Sequence, residues 1–543
     1  MRLARAKQFL ETLIASSALL SKRSPVWLTV SLLLASFSVF IAYIARLNDV
    51  LHDIFHAMAL AREMVLTRVF PTADVFAFSP TLNPTVHHEW GFGLICFIIT
   101  ANPLGDTLLM SLRFLLIATV LLSCYRVCRA RGGDPLLFAL GLLLVLPFFW
   151  VGFSTLRAQQ FTLTFLALQL VMQESDWKNN KSWVLMWLVM LVCWLNIHAG
   201  FIVGAGLIAL HGIERCYEAW FRNKSLLATF QQTWHLWVAA PIAFASLWIN
   251  PYGSEYITYL AHGLTMPRPQ IGEWWPLWTI MNPVQTLICF AIAVGLMAYT
   301  ARHRQWHRLT GFLLLILCAL MAFKHVRHAS IFAVVWLAYV PAWLTFTPLG
   351  KKLHKVLTQS PKTTYQLAGG FATAGIAFFL WFQGYNAYLP VNEHGQRGNY
   401  PLGAVSYLQR HNLQGRFITD FDSGAYVTWR LYPRILVSLD GRYEAAFQPG
   451  VLEEHLEFFY AAPNSATILD RWKADGIIVP SGTPLSEKIS SSSGSRMPVQ
   501  LSGSNRRWRC VYRDPGTSVW LDADQQAPIE FHDQLPSNGK YPN

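Results

Sequence analysis

The chain has 543 residues, of which 53% are hydrophobic and only 13% are charged. An average soluble protein has about 25% charged residues, so this composition excludes an ordinary soluble enzyme and indicates that many apolar residues face lipid. The net charge of +13 comes from the first 384 residues, because the acidic residues slightly outnumber the basic residues after that point. The positive charge therefore indicates how the chain is oriented across the membrane, and we expect no nucleic-acid partner.

The N-terminal segment, residues 1–25, is basic and precedes an apolar run over residues 26–45. Basic residues stay on the cytoplasmic side of the spans they flank, and no small-residue cleavage site follows the run. We therefore expect an uncleaved anchor with a cytoplasmic N-terminus. The next segment, residues 46–88, then forms the first outer loop.

Ten more apolar runs follow, some of which reach the ~20 residues that a bilayer crossing requires. They lie near residues 91–101, 107–125, 135–151, 161–173, 183–213, 234–249, 284–300, 309–323, 329–347 and 366–383. Five basic connectors agree on one alternation of sides. The fold class predicted for residues 26–384 is thus an α-helical polytopic membrane domain with 11 to 13 crossings.

A water-soluble domain is predicted at the C-terminus. Residues 385–400 form a polar linker, and residues 401–522 alternate short β-rich runs with helical patterns, which predicts a small α/β domain. An odd number of crossings places this domain on the extracytoplasmic side of the membrane. Its lone cysteine, Cys510, excludes an internal disulfide, so we expect it to be stable through its own core. Residues 486–498 and the flexible tail 523–543 lack periodicity.

The first outer loop carries the most informative acidic residues. Asp53, Asp74 and Glu89, together with Asp49, lie close to the first spans of a chain that is poor in acid. Ionisable groups near hydrocarbon are costly and indicate functional sites. We therefore predict Asp53, Asp74 and Glu89 to be catalytic, although a solvated loop is the simpler alternative.

His52, Asp53 and His56 have a spacing that could bind a divalent cation, because two histidines four residues apart share one helical face. The alternatives are hydrogen bonding within a folded loop, or a role for the carboxylate as a general base. The metal ion therefore stays an open question, and no other cofactor is predicted.

Further polar residues occur at the outward ends of later spans. The predicted substrate-binding residues are His56, Arg157, Gln159, Asn196, His198, Glu273 and Arg327. The two arginines suit bidentate contact with phosphate, unless they snorkel or pair with Glu89 or Glu273. Asn196 and His198 could equally make interhelical hydrogen bonds.

The C-terminal domain carries a second set of charged residues at the ends of predicted strands, where α/β domains tend to bind ligands. These residues are Asp420, Asp422, Asp440, Arg442 and Glu444. A turn formed by Asp440 and Gly441 is the structural alternative. The sequence contains no Walker loop, dinucleotide fingerprint or GxSxG elbow, so the outer membrane face is the predicted site.

Several segments together resemble one group of bacterial membrane proteins related to the GT-C glycosyltransferases, the class of oligosaccharyltransferases, protein mannosyltransferases and aminoarabinose transferases. The segments are HDIFHAMALAREMV, FPTADVFAFSPT, HHEW, LRAQQFTL, WLNIHAGF, INPYG, IGEWWP, KHVRHASIF, SGAYVTW and LDGRYE. Two of them depart from the pattern, since LRAQQ replaces an arginine-proline-glutamine run and NIHAG replaces asparagine-x-histidine-glycine-glycine. Arg157, Gln159, Asn196 and His198 still match.

This resemblance implies a transferase that takes a sugar from a polyprenyl-phosphate donor at the outer face of the bacterial cytoplasmic membrane. It implies that Asp53 activates the acceptor or holds a cation, with Asp74 and Glu89 as partners. The acceptor is open: a glycan, a lipid or a protein. A non-catalytic relative that binds glycan or recruits partners is the alternative. A transporter fits less well, because the polar residues gather at one face.

Overall fold

The computed structural model describes residues 26–45, 53–279, 283–306, 309–359, 361–386, 400–492 and 497–532. Four features of the sequence analysis lie outside these ranges: the N-terminal segment, His52, most of the linker and the end of the tail. Within them, an apolar helical part precedes a small mixed α/β domain, as the composition predicts.

The helices of the apolar part follow one another with short connections. They are α1 (Val26–Ile44), α2 (Asp53–Thr67), α3 (Trp90–Thr100), α4 (Gly105–Ala130), α5 (Pro135–Val145), α6 (Trp150–Phe153), α7 (Ala158–Asp176), α8 (Trp183–Ile197), α9 (Phe201–Asn223), α10 (Leu226–Ala245), α11 (Ser254–Thr265), α12 (Pro283–Arg304), α13 (Phe312–Lys324), α14 (Ala329–Thr345), α15 (Pro348–Gln359) and α16 (Pro361–Asn386).

Several of these helices could span a membrane. Among the described residues, five stretches are long and apolar enough to do so: Val26–Ile44, Thr107–Ala130, Pro135–Phe153, Pro283–Arg304 and Val326–Thr345. Helices α3, α8 and α13 are apolar but shorter. Every residue of α14 is buried, so this helix is at the centre of the bundle, and its neighbours expose large apolar side chains around it.

The apolar run at residues 183–213 is two helices and not one. The chain breaks between α8 and α9 at His198–Gly200. A Cβ at Gly200 would overlap the Thr162 hydroxyl group of α7, so only glycine permits this close approach. The break turns the His198 side chain out of the helix and toward the candidate site described below.

A buried arginine fixes the connector before α7. The Arg113 side chain is 2% exposed, and its Nη2 donates hydrogen bonds to the carbonyls of Ile44 and Phe153, both at 2.9 Å. These carbonyls are at the C-terminal ends of α1 and α6, where a cation is favourable. These hydrogen bonds hold the end of α6 in place, and the chain continues from there through Arg157 into α7.

The C-terminal domain contains one mixed seven-stranded sheet flanked by short helices. Its elements are α17 (Leu402–Arg410), β1 (Gly415–Ile418), α18 (Gly424–Leu431), β2 (Ile435–Val437), α19 (Tyr443–Ala446), α20 (Val451–Phe459), α21 (Thr467–Arg471), β3 (Gly476–Pro480), α22 (Pro484–Ser492), β4 (Val499–Gln500), β5 (Arg507–Arg513), β6 (Thr517–Asp522) and β7 (Glu530–Phe531). The strand order is β2-β1-β3-β6-β5-β4, with β7 beside β5. Strands β1, β2 and β3 are parallel, whereas β6 is antiparallel to both β3 and β5.

Parts of two segments whose sequences show no hydrophobic periodicity form regular secondary structure. Helix α22 covers the start of residues 486–498, where the sequence analysis expected a loop, because Leu485 and Ile489 pack into the domain core. Beyond residue 522, Glu530 accepts hydrogen bonds from Arg410 at 2.9 Å and His411 at 2.7 Å. These contacts hold β7 against the sheet.

The first outer loop extends the sheet of the C-terminal domain. Residues 76–82 of this loop form the outer-loop segment, which runs along the free edge of β2. Phe78 N donates to Val437 O at 3.0 Å, and Val437 N donates to Phe76 O at 3.1 Å. Further along, Leu82 N donates to Ala446 O at 2.8 Å. A peptide segment of the membrane part thus occupies a sheet edge that would otherwise be unpaired.

The two parts also share a hydrophobic core. The Phe55 ring of α2 packs edge-on against Tyr400 and Tyr426, with ring centroids 5.2 and 5.1 Å apart. One cluster of buried residues runs from α2 and α3 through to β5 and β6. The C-terminal domain also has the core of its own that the sequence predicts, in which Ile418, Ile477 and Trp508 are buried, and it shares the other cluster with the membrane part.

Candidate functional site

A cavity of about 240 Å³ lies where the helices meet the C-terminal domain. Most of the predicted site residues line it: Asp53, His56, Glu89, Arg157, Gln159, His198, Glu273 and Arg327. They come from six separate parts of the chain. The C-terminal domain closes the cavity with Phe421, Asp422 and the segment from Gly441 to Ala445.

A chain of ion pairs crosses the cavity. Arg157 Nη2 is 3.3 Å from Asp53 Oδ2, and its Nη1 pairs with Glu273 Oε1. The second oxygen of Glu273 is 4.0 Å from Arg327 Nη1. Burial raises the pKa of Glu273, but Arg157 and Arg327 outweigh that effect and hold it below its usual value. Arg157 is thus neutralised by two carboxylates, while Arg327 pairs, among the described residues, only with Glu273 at the longer distance of 4.0 Å.

Trp274 forms an aromatic wall between two cations. The Arg327 guanidinium lies 5.3 Å from the ring centroid, and that of Arg268 lies 4.5 Å from it. Gln159 Nε2 donates to Arg327 O at 3.3 Å, which fixes the amide beside the wall. Its buried Oε1 has no hydrogen-bond partner among the described residues. The wall therefore combines a flat apolar surface with positive charge and an acceptor.

Glu89 lies between two imidazoles. Its Oε1 is 3.5 Å from His88 Nε2 and 3.6 Å from His198 Nε2. Burial raises the pKa of Glu89, but the hydrogen bond and charge of His88, together with His198, lower it well below its usual value. Glu89 is therefore a carboxylate at neutral pH.

Hydrogen bonds fix the tautomer of His198. Gly200 N donates to His198 Nδ1 at 3.0 Å, so this nitrogen is an acceptor. The Thr162 hydroxyl, which itself accepts from Trp194 Nε1 at 2.8 Å, lies 2.8 Å from the same nitrogen. Neutral His198 consequently carries its proton on Nε2 and presents it toward Glu89.

Asp74 does not line the cavity. Its Oδ1 accepts from Phe76 N at 3.0 Å and from Ala77 N at 2.7 Å, and its Oδ2 pairs with Arg442. Arg442 is also bidentate to Asp440, at 2.9 and 2.7 Å. Burial raises the pKa of Asp440, but the Arg442 charge outweighs it and lowers the pKa. This Asp74–Arg442–Asp440 clamp joins the first outer loop to the C-terminal domain.

Asn196 also lies away from the cavity. Its Oδ1 accepts from Trp90 Nε1 at 3.2 Å, and its Nδ2 donates to the carbonyls of Val192 and Ile249, both at 2.9 Å. This is the interhelical hydrogen bonding that the sequence analysis gave as an alternative to substrate contact. Through Trp90, Asn196 supports the cavity wall from behind.

The residues fit a divalent cation poorly. Asp53 and Glu273 both face the Arg157 guanidinium, whose charge opposes a cation. In the described part of the chain, no group of three or more histidine, cysteine or acidic residues is arranged to hold a metal ion, and His52 lies outside that part. The charge of Arg157 therefore disfavours a divalent cation at Asp53 and Glu273.

Several residues that line the cavity were not predicted from the sequence. His87, His88 and Trp90 are close to Glu89 in the chain, and Trp274 follows Glu273. All four lie in the segments HHEW and IGEWWP, so proximity to a predicted acid was the signal that could have identified them. The sequence matches no protein-family model, and no curated protein matches it.

Proposed function

We propose that the protein is a GT-C-class membrane glycosyltransferase. It crosses the bacterial cytoplasmic membrane 11 to 13 times, with the C-terminal domain on the extracytoplasmic side, in the periplasm. In the cavity it transfers a sugar from a polyprenyl-phosphate donor to an acceptor of the cell envelope. The observation that carries this proposal is the meeting of Asp53, Arg157 and Arg327 at one cavity beside apolar helices.

The polar side-chain atoms of the cavity are suited to binding a sugar. Buried polar atoms without a partner among the described residues include Gln159 Oε1, His56 Nδ1 and His87 Nε2. Such atoms are costly unless a ligand or water satisfies them. A sugar hydroxyl both donates and accepts, and the Trp90 side chain, which also lines the cavity, suits the apolar face of a pyranose ring.

The mechanism follows from the charges. The acceptor hydroxyl gives its proton to the Asp53 carboxylate while its oxygen bonds to the anomeric carbon. The bond from that carbon to the phosphate oxygen breaks, and polyprenyl phosphate leaves as an anion. Arg327 binds this phosphate, because Arg157 is already neutralised by Asp53 and Glu273. As Asp53 gains the proton, Arg157 loses one counter-charge and becomes available to the phosphate.

An assay of Asp53→Asn tests the proposal. We expect the variant to fold normally and to transfer sugar at least about 100-fold more slowly, because general-base catalysis contributes roughly 10²–10⁴-fold. The measurement is release of polyprenyl phosphate by full-length protein in nanodiscs, offered a panel of polyprenyl-phosphate hexoses and pentoses.

Glu457→Gln is the matched control, because Glu457 is an exposed acid of the C-terminal domain away from the cavity. It should leave the rate unchanged. A wild-type rate in Asp53→Asn would show that Asp53 is not the base.

A second function, glycan binding without catalysis, is favoured by one observation. Asp53 is engaged by Arg157 at 3.3 Å, so its carboxylate also has a structural role. If the wild-type protein binds envelope glycan fragments in equilibrium dialysis but releases no polyprenyl phosphate from any donor, this second function replaces the first.

A further inference from the structure

Helix α15 is at the end of the bundle opposite the candidate site. The central helix α14 begins directly after His328, next to Arg327, and its 17 residues span about 26 Å. Helix α15 follows after two residues. The two surfaces are thus separated by roughly the hydrophobic thickness of a bilayer.

The helix is amphipathic and short. Lys351, Lys352 and Lys355 lie on one face, and all three side chains are exposed. The opposite face carries Leu353, Val356 and Leu357 because these positions recur three and four residues apart. Val356 remains 58% exposed, so the protein itself covers only part of this apolar face.

One edge of α15 is anchored to the bundle. His354 Nδ1 pairs with Asp134, the N-cap residue of α5. Gly350 is buried, and a Cβ there would overlap the Leu344 carbonyl at the end of α14. These contacts hold the helix across the ends of α5 and α14 with its lysines outward.

The lysines have no acidic partner in the described part of the chain, where no ion pair includes any of them. No aspartate or glutamate occurs in the sequence between Glu273 and Glu393. Three more exposed cations are Arg126 and Arg129, in the last turns of α4, and Lys362, at the start of α16. The charged residues of α15 itself are all basic.

We propose that α15 lies in the membrane interface and binds anionic phospholipid headgroups. Its apolar face enters the acyl boundary, and Lys351, Lys352 and Lys355 contact lipid phosphates. Its incompletely covered apolar face, next to a face of three exposed lysines at the end of the membrane-length helix α14, favours a lipid over a protein partner. This proposal does not depend on the chemistry at the opposite face.

The test compares lipid binding by full-length protein in detergent, measured by native mass spectrometry. The triple variant Lys351→Gln, Lys352→Gln, Lys355→Gln should bind phosphatidylglycerol at least ~10-fold more weakly, since each lysine near an anionic surface contributes about fivefold before screening by salt and three such losses combine. Its weak binding of phosphatidylcholine should not change. An unchanged melting temperature in neutral detergent will show that it folds.

The matched control removes three exposed cations on the other side of the molecule, with Arg68→Gln, Arg416→Gln and Lys473→Gln. It should keep wild-type binding of phosphatidylglycerol. Equal losses in both variants would overturn the proposal, because the effect would then be net charge alone. Displacement of the lipid by millimolar glycerol phosphate would also overturn it, in favour of a site for free phosphate.

Discussion

At the scale of single residues, Gly441 decides how closely the C-terminal domain approaches the proposed base. A Cβ at this position would lie 3.0 Å from Asp53 Oδ1, tighter than ordinary van der Waals contact. We expect Gly441→Ala to displace the carboxylate and slow transfer about tenfold, because small displacements of reacting groups are costly. The release assay measures this effect.

The control for Gly441→Ala is Gly369→Ala, since a Cβ at Gly369 meets nothing within 4 Å. Its transfer rate should equal that of the wild type. If Gly441→Ala were equally silent, the approach of the Asp440–Gly441 turn to Asp53 would have no bearing on the reaction.

The buried histidines predict acid sensitivity. Burial lowers the pKa of His87 in the folded protein, whereas an unfolded histidine titrates near 6.5. Unfolding therefore takes up a proton as the pH falls below about 6.5, and stability falls with it. We expect the wild-type melting temperature to drop between pH 7 and pH 5.

His87→Gln tests this assignment, because glutamine keeps a polar side chain but does not titrate. The drop between pH 7 and pH 5 should be smaller in this variant than in the wild type. Equal drops in the two proteins would mean that other groups account for the acid sensitivity.

At the scale of elements, the outer-loop segment belongs to the membrane part but pairs with the edge strand β2 of the C-terminal sheet. Phe78→Pro removes the N–H that donates to Val437 O at 3.0 Å. We expect a lower melting temperature and faster proteolytic cleavage of the C-terminal domain, because proline disrupts the ladder and leaves a carbonyl unpaired.

Phe78→Leu is the matched control for that substitution, since it keeps the backbone donor and much of the apolar packing. The gap between the two variants measures the contribution of the backbone pairing. Equal effects would show that the phenylalanine ring, and not the hydrogen bond, attaches the loop to the sheet.

At the scale of the whole molecule, features set by residues close together in the chain could be predicted from the sequence. Contacts between residues far apart in the chain could not. Apolar runs predicted most of the long helices, whereas α2, α11 and α15 lie in stretches between those runs. The acid-rich first outer loop predicted Asp53 and Glu89 as site residues, and both line the cavity. Asp74 stands in the same loop, but its partner Arg442 is 368 residues away. No spacing rule encodes such a pair, so its place outside the cavity could not be predicted. The break at Gly200 depends on the contact with Thr162 and was missed for the same reason.

The sheet edge supplied by the outer loop also sets an order of events during synthesis. The ribosome makes residues 76–82 more than 350 residues before β2, which at about 5–20 residues per second means a delay of roughly 20–70 seconds. During that time the loop is outside the membrane without its partner strand, and the Asp74 carboxylate is without Arg442. The cavity is therefore assembled last, so a chain that stops before residue 435 would insert its helices and still lack a working site.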